Sequence, residues 1–331
     1  MAISIAMVAL GANSKVSGSS IPKAWAKRWP KGVQLTDGEK KDHSLSFRAD
    51  DVHVIFGLMG APIPWSDIEP LCTHAPFWPE AASEMKQHAR HVIVTVMSEG
   101  DRVSMMKIMT QATIALIDAC EGVVGVYWCN SSLMFPPDDF AEIACEFIPG
   151  GMPLPIWVNF CVSQTSDGAS AGFTKGLGAF DLMELEATKS PEPAEELRNR
   201  FLGLADYLIT NGPVIKDGDT VGEDANEKIK VTYESSAFGA EGRVMRLTYD
   251  GTSSGSLKMT TYGYIHAMAT LICTVGFGYL LYTRLPLLQG SFLRHFLYVP
   301  MTLIFGFVLL LASDKFLETK FGWQVFEKRE S

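Results

Sequence analysis

Two stretches near the C-terminal end of this 331-residue chain constrain its fold more than any other feature. Tyr262 to Tyr282 (YGYIHAMATLICTVGFGYLLY) and His295 to Ala312 (HFLYVPMTLIFGFVLLLA) contain no Asp, Glu, Lys or Arg. A helix needs about 20 apolar residues to cross about 30 Å of hydrocarbon, so each run is long enough or nearly so. Tyr262, Tyr264, Tyr279, Tyr282 and Tyr298 stand toward the edges of the runs, where aromatic rings favour the headgroup zone. The link from Thr283 to Arg294 is short and holds Pro286 and Gly290, so it can only turn the chain back. The expectation is a transmembrane hairpin over 262–312 (helices 262–282 and 295–312), preceded by a linker at 252–261 and followed by a tail at 313–331.

Orientation follows from basic residues. The body side offers Arg243, Arg246, Lys258, Lys315, Lys320, Lys328 and Arg329, against Arg284 and Arg294 in the turn. Under the positive-inside rule this puts the large domain and both termini in the cytoplasm, at the inner membrane of a bacterium. Neither run carries a charge near its centre, which favours anchoring over conduction. Thr274 and Gly278 form a small-xxx-small pair of the kind that packs helices.

The remaining residues, 1–251, are long enough for one sizeable soluble domain. Residues 1–258 hold 22 Lys and Arg against 33 Asp and Glu, a net of −11. So acidic a body argues against nucleic acid, because phosphate binding requires clustered cations. The densest basic stretch, Lys23 to Lys31, is interleaved with Trp25 and Trp29 and reads as a solvated amphipathic helix. Cys72, Cys120, Cys129, Cys145, Cys161 and Cys273 contain no C-x-x-C pair, which points to a reducing compartment. Met1 to Leu10 lacks the basic n-region of a signal peptide and reads as a buried first strand.

Along the body, strands are expected at Met1–Leu10, Ser44–Arg48, Val52–Met59, His91–Met97, Val123–Cys129, Pro155–Val162, within Thr174–Glu186, at Lys228–Tyr233 and at Val244–Tyr249. Helices are expected at Ile21–Trp29, Pro79–Gln87, Asp101–Cys120, Pro137–Phe147 and Pro193–Thr210. Gly11 to Ser20 reads as a loop, Asp101 as a helix cap, and Ser66 with Glu69 as a capping box. Helices and antiparallel-looking strands interleave without a regular βαβ repeat. The expected class is therefore α+β, a mixed or antiparallel sheet with ferredoxin-like pieces, followed by the transmembrane hairpin.

Candidate chemistry is sparse. His88 and His91 with Glu84 one turn earlier could share a helix face as metal ligands, although the pair falls where helix passes into strand. The alternative is two histidines bonding helix-end carbonyls or neighbouring loops. Glu184 and Glu186 flank Leu185 on a strand, as a carboxylate pair for acid/base work or as the solvated side of a sheet. Thr174-Lys175-Gly176-Leu177-Gly178 lacks the setting of a phosphate loop and reads as a bulge or close backbone approach. Asp217 to Lys228 has Val221 and Lys228 where a calcium loop needs oxygen ligands, so it reads as a turn. Trp65, Trp78, Trp128 and Trp157, with Glu80, are the candidate binding residues, core packing being the other use of the tryptophans. No motif indicates a cofactor, and none is expected.

Several stretches together resemble the bacterial family catalogued as domain of unknown function 4261. They are Ala61-Pro-Ile-Pro-Trp65, Trp78-Pro-Glu-Ala81, His88-Ala-Arg-His-Val92, Gly125-Val-Tyr-Trp128, Pro153-Leu-Pro-Ile-Trp157, Thr174-Lys-Gly-Leu-Gly178, Glu184-Leu-Glu186 and Lys216-Asp-Gly-Asp-Thr220. The resemblance spans residues 50–232 and implies a cytosolic α+β domain without an activity to carry over. Relatives of an accessory or interbacterial-conflict kind imply an immunity-like or secretion-accessory role. Two readings follow: a membrane-tethered module that binds a protein partner, or a membrane-proximal hydrolase. The hydrolase would use His88, His91 and one of Glu80, Glu84, Glu184 or Glu186, gathered in one pocket.

Overall fold

The computed structural model describes residues 1–148, 150–222 and 227–249, together with the backbone of 256–259 and 326–329. The chain divides into two units, Met1–Asp250 and Gly251–Ser331. In chain order the first unit contains β1 (Ala2–Val16), a 3-10 turn (Gly18–Ser20), α1 (Ile21–Arg28), β2 (Thr36–Lys41), β3 (Ser44–Ala49), β4 (Val52–Met59), α2 (Trp65–Thr73) and α3 (Ala81–Met85). It continues with β5 (His88–Ser98), α4 (Arg102–Asp118), β6 (Cys120–Trp128), β7 (Leu133–Phe135), α5 (Pro137–Phe147), α6 (Leu154–Trp157), β8 (Asn159–Gln164) and β9 (Ser170–Lys175). After a second 3-10 turn (Leu177–Phe180) come β10 (Leu185–Ser190), α7 (Ala194–Asn211), β11 (Thr220–Val221), β12 (Ile229–Ser235) and β13 (Arg243–Thr248).

The strands form two sheets. The first has seven strands in the order β2-β3-β4-β5-β1-β6-β7, all antiparallel. Within it, β1-α1-β4-β5-α4-β6 is a split βαβ pair with the order β4-β5-β1-β6, the ferredoxin-like arrangement. The second has six strands in the order β11-β12-β13-β10-β9-β8, antiparallel except where β10 and β13 run parallel. The class is α+β with antiparallel and mixed sheets.

Local chemistry explains the main elements. α4 starts where Asp101 accepts from the Ser104 N–H at 2.7 Å, the expected cap. Ten of its residues are buried, and the hydroxyls of Thr110 and Thr113 bond back to the Met106 and Met109 carbonyls, so even its polar side chains can be enclosed. Buried side chains from both sheets and from α1, α4, α5 and α7 form one continuous core, with Trp25, Trp128, Trp157, Phe140 and Phe201 among its largest members.

Three expectations are corrected. Gly11–Val16 is strand rather than loop: after a break in register, Lys15 and Val16 pair with Glu121 and Cys120. Pro155–Trp157 belongs to a helical turn, with the strand beginning at Asn159, because the Trp157 and Val158 N–H groups bond back to the Pro153 and Leu154 carbonyls. Ser66 does not cap α2. The helix begins at Trp65 with Pro64 preceding it, and the Ser66 hydroxyl donates to Asp67.

In the second unit, Ser256–Met259 pairs antiparallel with Phe326–Arg329. The expected membrane helices at 262–282 and 295–312 lie outside the described residues. Among the described residues no helix is long and apolar enough to cross a membrane.

Candidate functional site

Alternation along β1 sends Ala6, Val8 and Leu10 into the main core and Ile3, Ile5, Met7 and Ala9 to the opposite, outer face of the first sheet. The ladder sets their neighbours. Ile3 lies beside Met97, Ile5 beside Thr95 and Met7 beside Ile93, while across β5 those residues face His53, Ile55 and Gly57 of β4. One end of the outer face is roofed: Ile63, Ile68, Cys72, Trp78 and Met85, from α2, α3 and the turn before them, pack with Ala9 and Met134 as a second core cluster. Gly125 permits that approach, since a Cβ there would lie 2.7 Å from the Trp78 ring and 2.8 Å from the Met85 sulfur. The other end is open. Ile3 is 53 % exposed there, and Ile5, Ile55, Ile93 and Met97 are half-buried; Met59, 43 % exposed, lies at the margin of the roofed end, where it pairs with His91. The result is an apolar strip across the three strands β4, β5 and β1.

The two histidines build the roof of that face. His88 Nδ1 bonds the Met85 carbonyl at the end of α3, and its Nε2 accepts from the Ile63 N–H at 2.8 Å. His91 Nδ1 donates to the Ala61 carbonyl at 2.9 Å. Both therefore pin the turn Ala61–Pro64, the second of the two roles considered for them. Glu84 is exposed one turn away. Among the described residues no group of three His, Cys, Asp or Glu is placed to hold a metal ion. Burial pushes the His91 pKa below its ordinary value, outweighing the bond to Ala61, with His88 adding in the same direction. A histidine depressed in the fold stabilises it above the unfolded pKa, and that contribution fades as pH falls toward the folded value. His91 is expected to titrate below the usual histidine range in an NMR pH series, with the 61–64 turn loosening only as it does so.

Glu184 and Glu186 each accept hydrogen bonds from a neighbouring loop. Glu184 accepts from Thr174 Oγ1 and Gly176 N (both 2.8 Å) and from Gly178 N (3.2 Å). The segment 174–178 thus does bind an anion through backbone N–H groups, but that anion is the chain's own carboxylate. Gly176 sits at φ +130°, and a Cβ there would lie 2.2 Å from the Trp157 carbonyl, the close backbone approach expected of this loop. Glu186 is fully buried and accepts from Ser236 Oγ, from Ala237 N at 3.0 Å and from Arg246 Nη2 at 3.0 Å. Burial pushes its carboxyl up, but the Ser236, Ala237 and Arg246 bonds together hold it below the usual range. A second buried carboxylate, Glu192, is held by Arg200 at 2.8 Å through Nε and by the Tyr249 hydroxyl at 3.1 Å, and Arg200 also bonds Glu227.

The histidines and the Glu184/Glu186 pair are carried by different sheets. His88 and His91 lie on β5 of the first sheet, while Glu184 and Glu186 lie at β10 of the second, each fastening its own loop. Glu80 is exposed and caps nothing with its side chain. Of the candidate tryptophans, Trp78, Trp128 and Trp157 are core residues at 3 % exposure or less. Trp65 is half-buried on α2 with the Lys86 ammonium 5.0 Å from its ring centre, so Trp65 and Glu80 are the two candidates that reach the surface. Motif reading overlooked the open strip because no single residue type marks it. Its signal is that β1 is apolar at both parities, as a strand covered on both faces would be, while the covering reaches only one end.

These features define an α+β protein whose buried carboxylates and histidines secure loops and whose first sheet has an apolar face that the described residues leave partly uncovered. The family model of a domain of unknown function (DUF4261) matches residues 173–248. That span runs from β9 to the end of β13 and includes Glu184, Glu186, Arg200 and Arg246. Of the stretches that resemble the family, 174–178, 184–186 and 216–220 fall inside it and the others outside. No curated protein matches the chain.

Proposed function

We propose that residues 1–250 form a protein-binding module that seats its partner on the open outer face of the first sheet. The 262–312 hairpin holds the module at the cytoplasmic side of the inner membrane. One observation carries the reading: on the three middle strands of a seven-stranded sheet Ile3 stands exposed beside half-buried Ile5, Ile55, Ile93 and Met97, with Met59 exposed at the far end of the same face. Contiguous exposed apolar surface of this kind marks interaction sites. Strands about 4.8 Å apart make the strip a few hundred Å², enough for the apolar centre of an interface that buries about 800 Å² per partner. The acidic body suits electrostatic capture of a basic partner, and an immunity-like or secretion-accessory role fits such capture. The pairing of Ser256–Met259 with Phe326–Arg329 supports a hairpin whose two flanks return to one side.

The test is crosslinking and pull-down of the full chain from membranes, comparing wild type with Ile3→Lys/Met59→Lys. Both positions are exposed, so the fold should tolerate lysine. Recovery of the partner is expected to fall at least tenfold in the variant and to weaken at raised salt. Equal recovery by the variant, or no partner where a control complex is recovered, would sink the reading.

A further inference from the structure

The two sheets have four edges, and three of them are blunt. β2 is crowded with Asp37, Glu39, Lys40 and Lys41, while β7 has three residues and β11 two. The fourth, β8, runs for six residues (NFCVSQ) with no charge and no proline. Its register with β9 is continuous from Asn159 to Gln164, and no described residue bonds the backbone on its far side. Charge, proline and shortness are the usual protections of an edge, and a strand without them templates another strand.

The sequence of β8 matches its own reverse. Phe160 and Val162 share the face that joins the main core, and Asn159, Cys161 and Ser163 share the other. Directly opposed residues of an antiparallel pair lie on one face, so a two-fold pairing must centre on a residue. Centred on Cys161, it sets Phe160 against Val162 of the second copy and Asn159 against Ser163, apolar on apolar and polar on polar. Centring on Phe160 would oppose Asn159 to Cys161, and centring on Val162 would oppose Phe160 to Gln164.

α7 gives the same answer independently. It packs on β8 and β9, with Arg200 on one flank bonding Glu192 and Glu227 toward the middle of the sheet. Leu202, two residues on and so about 200° around the helix, stands on the flank toward the open side of β8. It is 38 % exposed and lies between exposed Arg198 and Asp206 at a spacing of four. Strands are about 4.8 Å apart, so a helix over β8 and β9 lies about one spacing from a seam between two β8 strands. The two copies of α7 then run antiparallel about 10 Å apart, the usual distance for packed helices. The axis also falls at the right height. Gln164 is level with Ser190 through Ser170. Cys161 is about 10 Å back along β8, and Leu202 is about 12 Å along α7, which returns over the strands after a short turn. Leu202 therefore meets Leu202, and each Arg198 meets Asp206 of the other copy.

We infer that the chain pairs with a second copy of itself through β8 and α7, joining two six-stranded sheets into one about a two-fold axis beside Cys161 and Leu202. This face belongs to the second sheet and does not depend on the partner face proposed above.

The experiment mixes unlabelled and isotope-labelled full-length chain, oxidises the mixture with copper phenanthroline and maps disulfides by peptide mass spectrometry. Opposed Cα atoms lie about 4.5–5.5 Å apart, within disulfide reach, so a mixed-isotope bond between two Cys161 residues is expected to dominate. Arg198→Asp and Asp206→Arg, each at an exposed position, should each lower its yield about tenfold, because two attractions become repulsions. Mixed together, the two variants should restore it to near the wild-type level, since their heterodimer pairs unlike charges at both places. Ile3→Lys/Met59→Lys should crosslink as wild type does, which separates this result from failure of the partner face. No bond between Cys161 residues, a yield indifferent to the charge variants, or no recovery on mixing would overturn the inference.

Discussion

Replacing Arg246 with alanine is expected to destabilise the body by about 3 kcal/mol, the lower end of the cost of removing one partner from a buried ion pair. Glu186 is fully buried on β10, and Arg246, directly opposite on β13, is its one cationic partner in the described network. Arg246 keeps 15 % of its side chain exposed and also bonds Glu234 and the Ser235 carbonyl, which tempers the loss. Without the guanidinium, a desolvated carboxylate retains only Ser236 and the Ala237 N–H. The double variant Glu186→Leu/Arg246→Met removes both charges and should recover most of the stability, since apolar replacement of a whole buried pair is often neutral or better. Urea unfolding followed by near-ultraviolet circular dichroism measures both. The same pair sets an acid limb. Because the fold lowers the Glu186 pKa, its contribution is present above the unfolded value and is lost as pH falls through the folded one. Wild type should lose stability on acidification below the ordinary carboxylate range more steeply than the double variant. Equal slopes would show that Glu186 is not coupled to folding.

The second large effect is expected at Trp157. Truncation to alanine should cost about 3–5 kcal/mol, the usual range for a large buried aromatic. Trp157 is fully buried, packs against Phe180 with ring centres 5.5 Å apart and planes tilted by 40°, and donates its indole N–H to Thr110 on α4 at 2.9 Å. It therefore ties the helix behind the first sheet to the turn that leads into β10. Its carbonyl is also the atom that Gly176 closely approaches. Trp157→Phe should retain the packing and lose the hydrogen bond, costing about 1–2 kcal/mol beyond any cavity term. Thr110→Val combined with Trp157→Phe should then add little. If the two substitutions were fully additive, the Thr110 bond would carry no coupling.

Much of this architecture was legible because burial imposes periodicity. Val52–Met59 and Pro137–Phe147 have the limits expected, and β5, α4, β6 and α7 differ from expectation by a few residues at their ends. Asp101 announced its helix because an N-cap is a local transaction between a side chain and the next turn. β2 went unseen because TDGEKK is exposed at every residue and gains strand structure only from pairing with β3. Gly11–Val16 hid for a related reason: small and polar residues hold a strand there through ladder bonds to β6, which no propensity records. The histidines illustrate the limit for sites. Their spacing admits a metal-ligand role beside the structural one, and their bonds to the Ala61–Pro64 turn, distant in sequence, could not be read from it. Glu184 and Glu186 were visible as a pair, yet their partners at 174–178 and 236–246 are contributed by other strands. The open strip depends on what fails to cover it, and a missing cover has no sequence of its own.

The position of the last strand has a kinetic consequence. β13 is not appended to an edge of the second sheet; it lies between β12 and β10, and its parallel contact with β10 is reached only after α7, β11 and β12 have been laid down. The first sheet needs nothing beyond Phe135 to complete its strands. During synthesis it can therefore consolidate while more than a hundred residues of the body are still to come. The second sheet stays divided in its middle until residues 243–248 emerge. Non-local and parallel pairings are slow to form, so closure around β13 is expected to be the late, rate-setting event. Until then the interval leaves the inner edges of β10 and β12 unpaired, the state in which chaperone capture or mispairing would compete with folding.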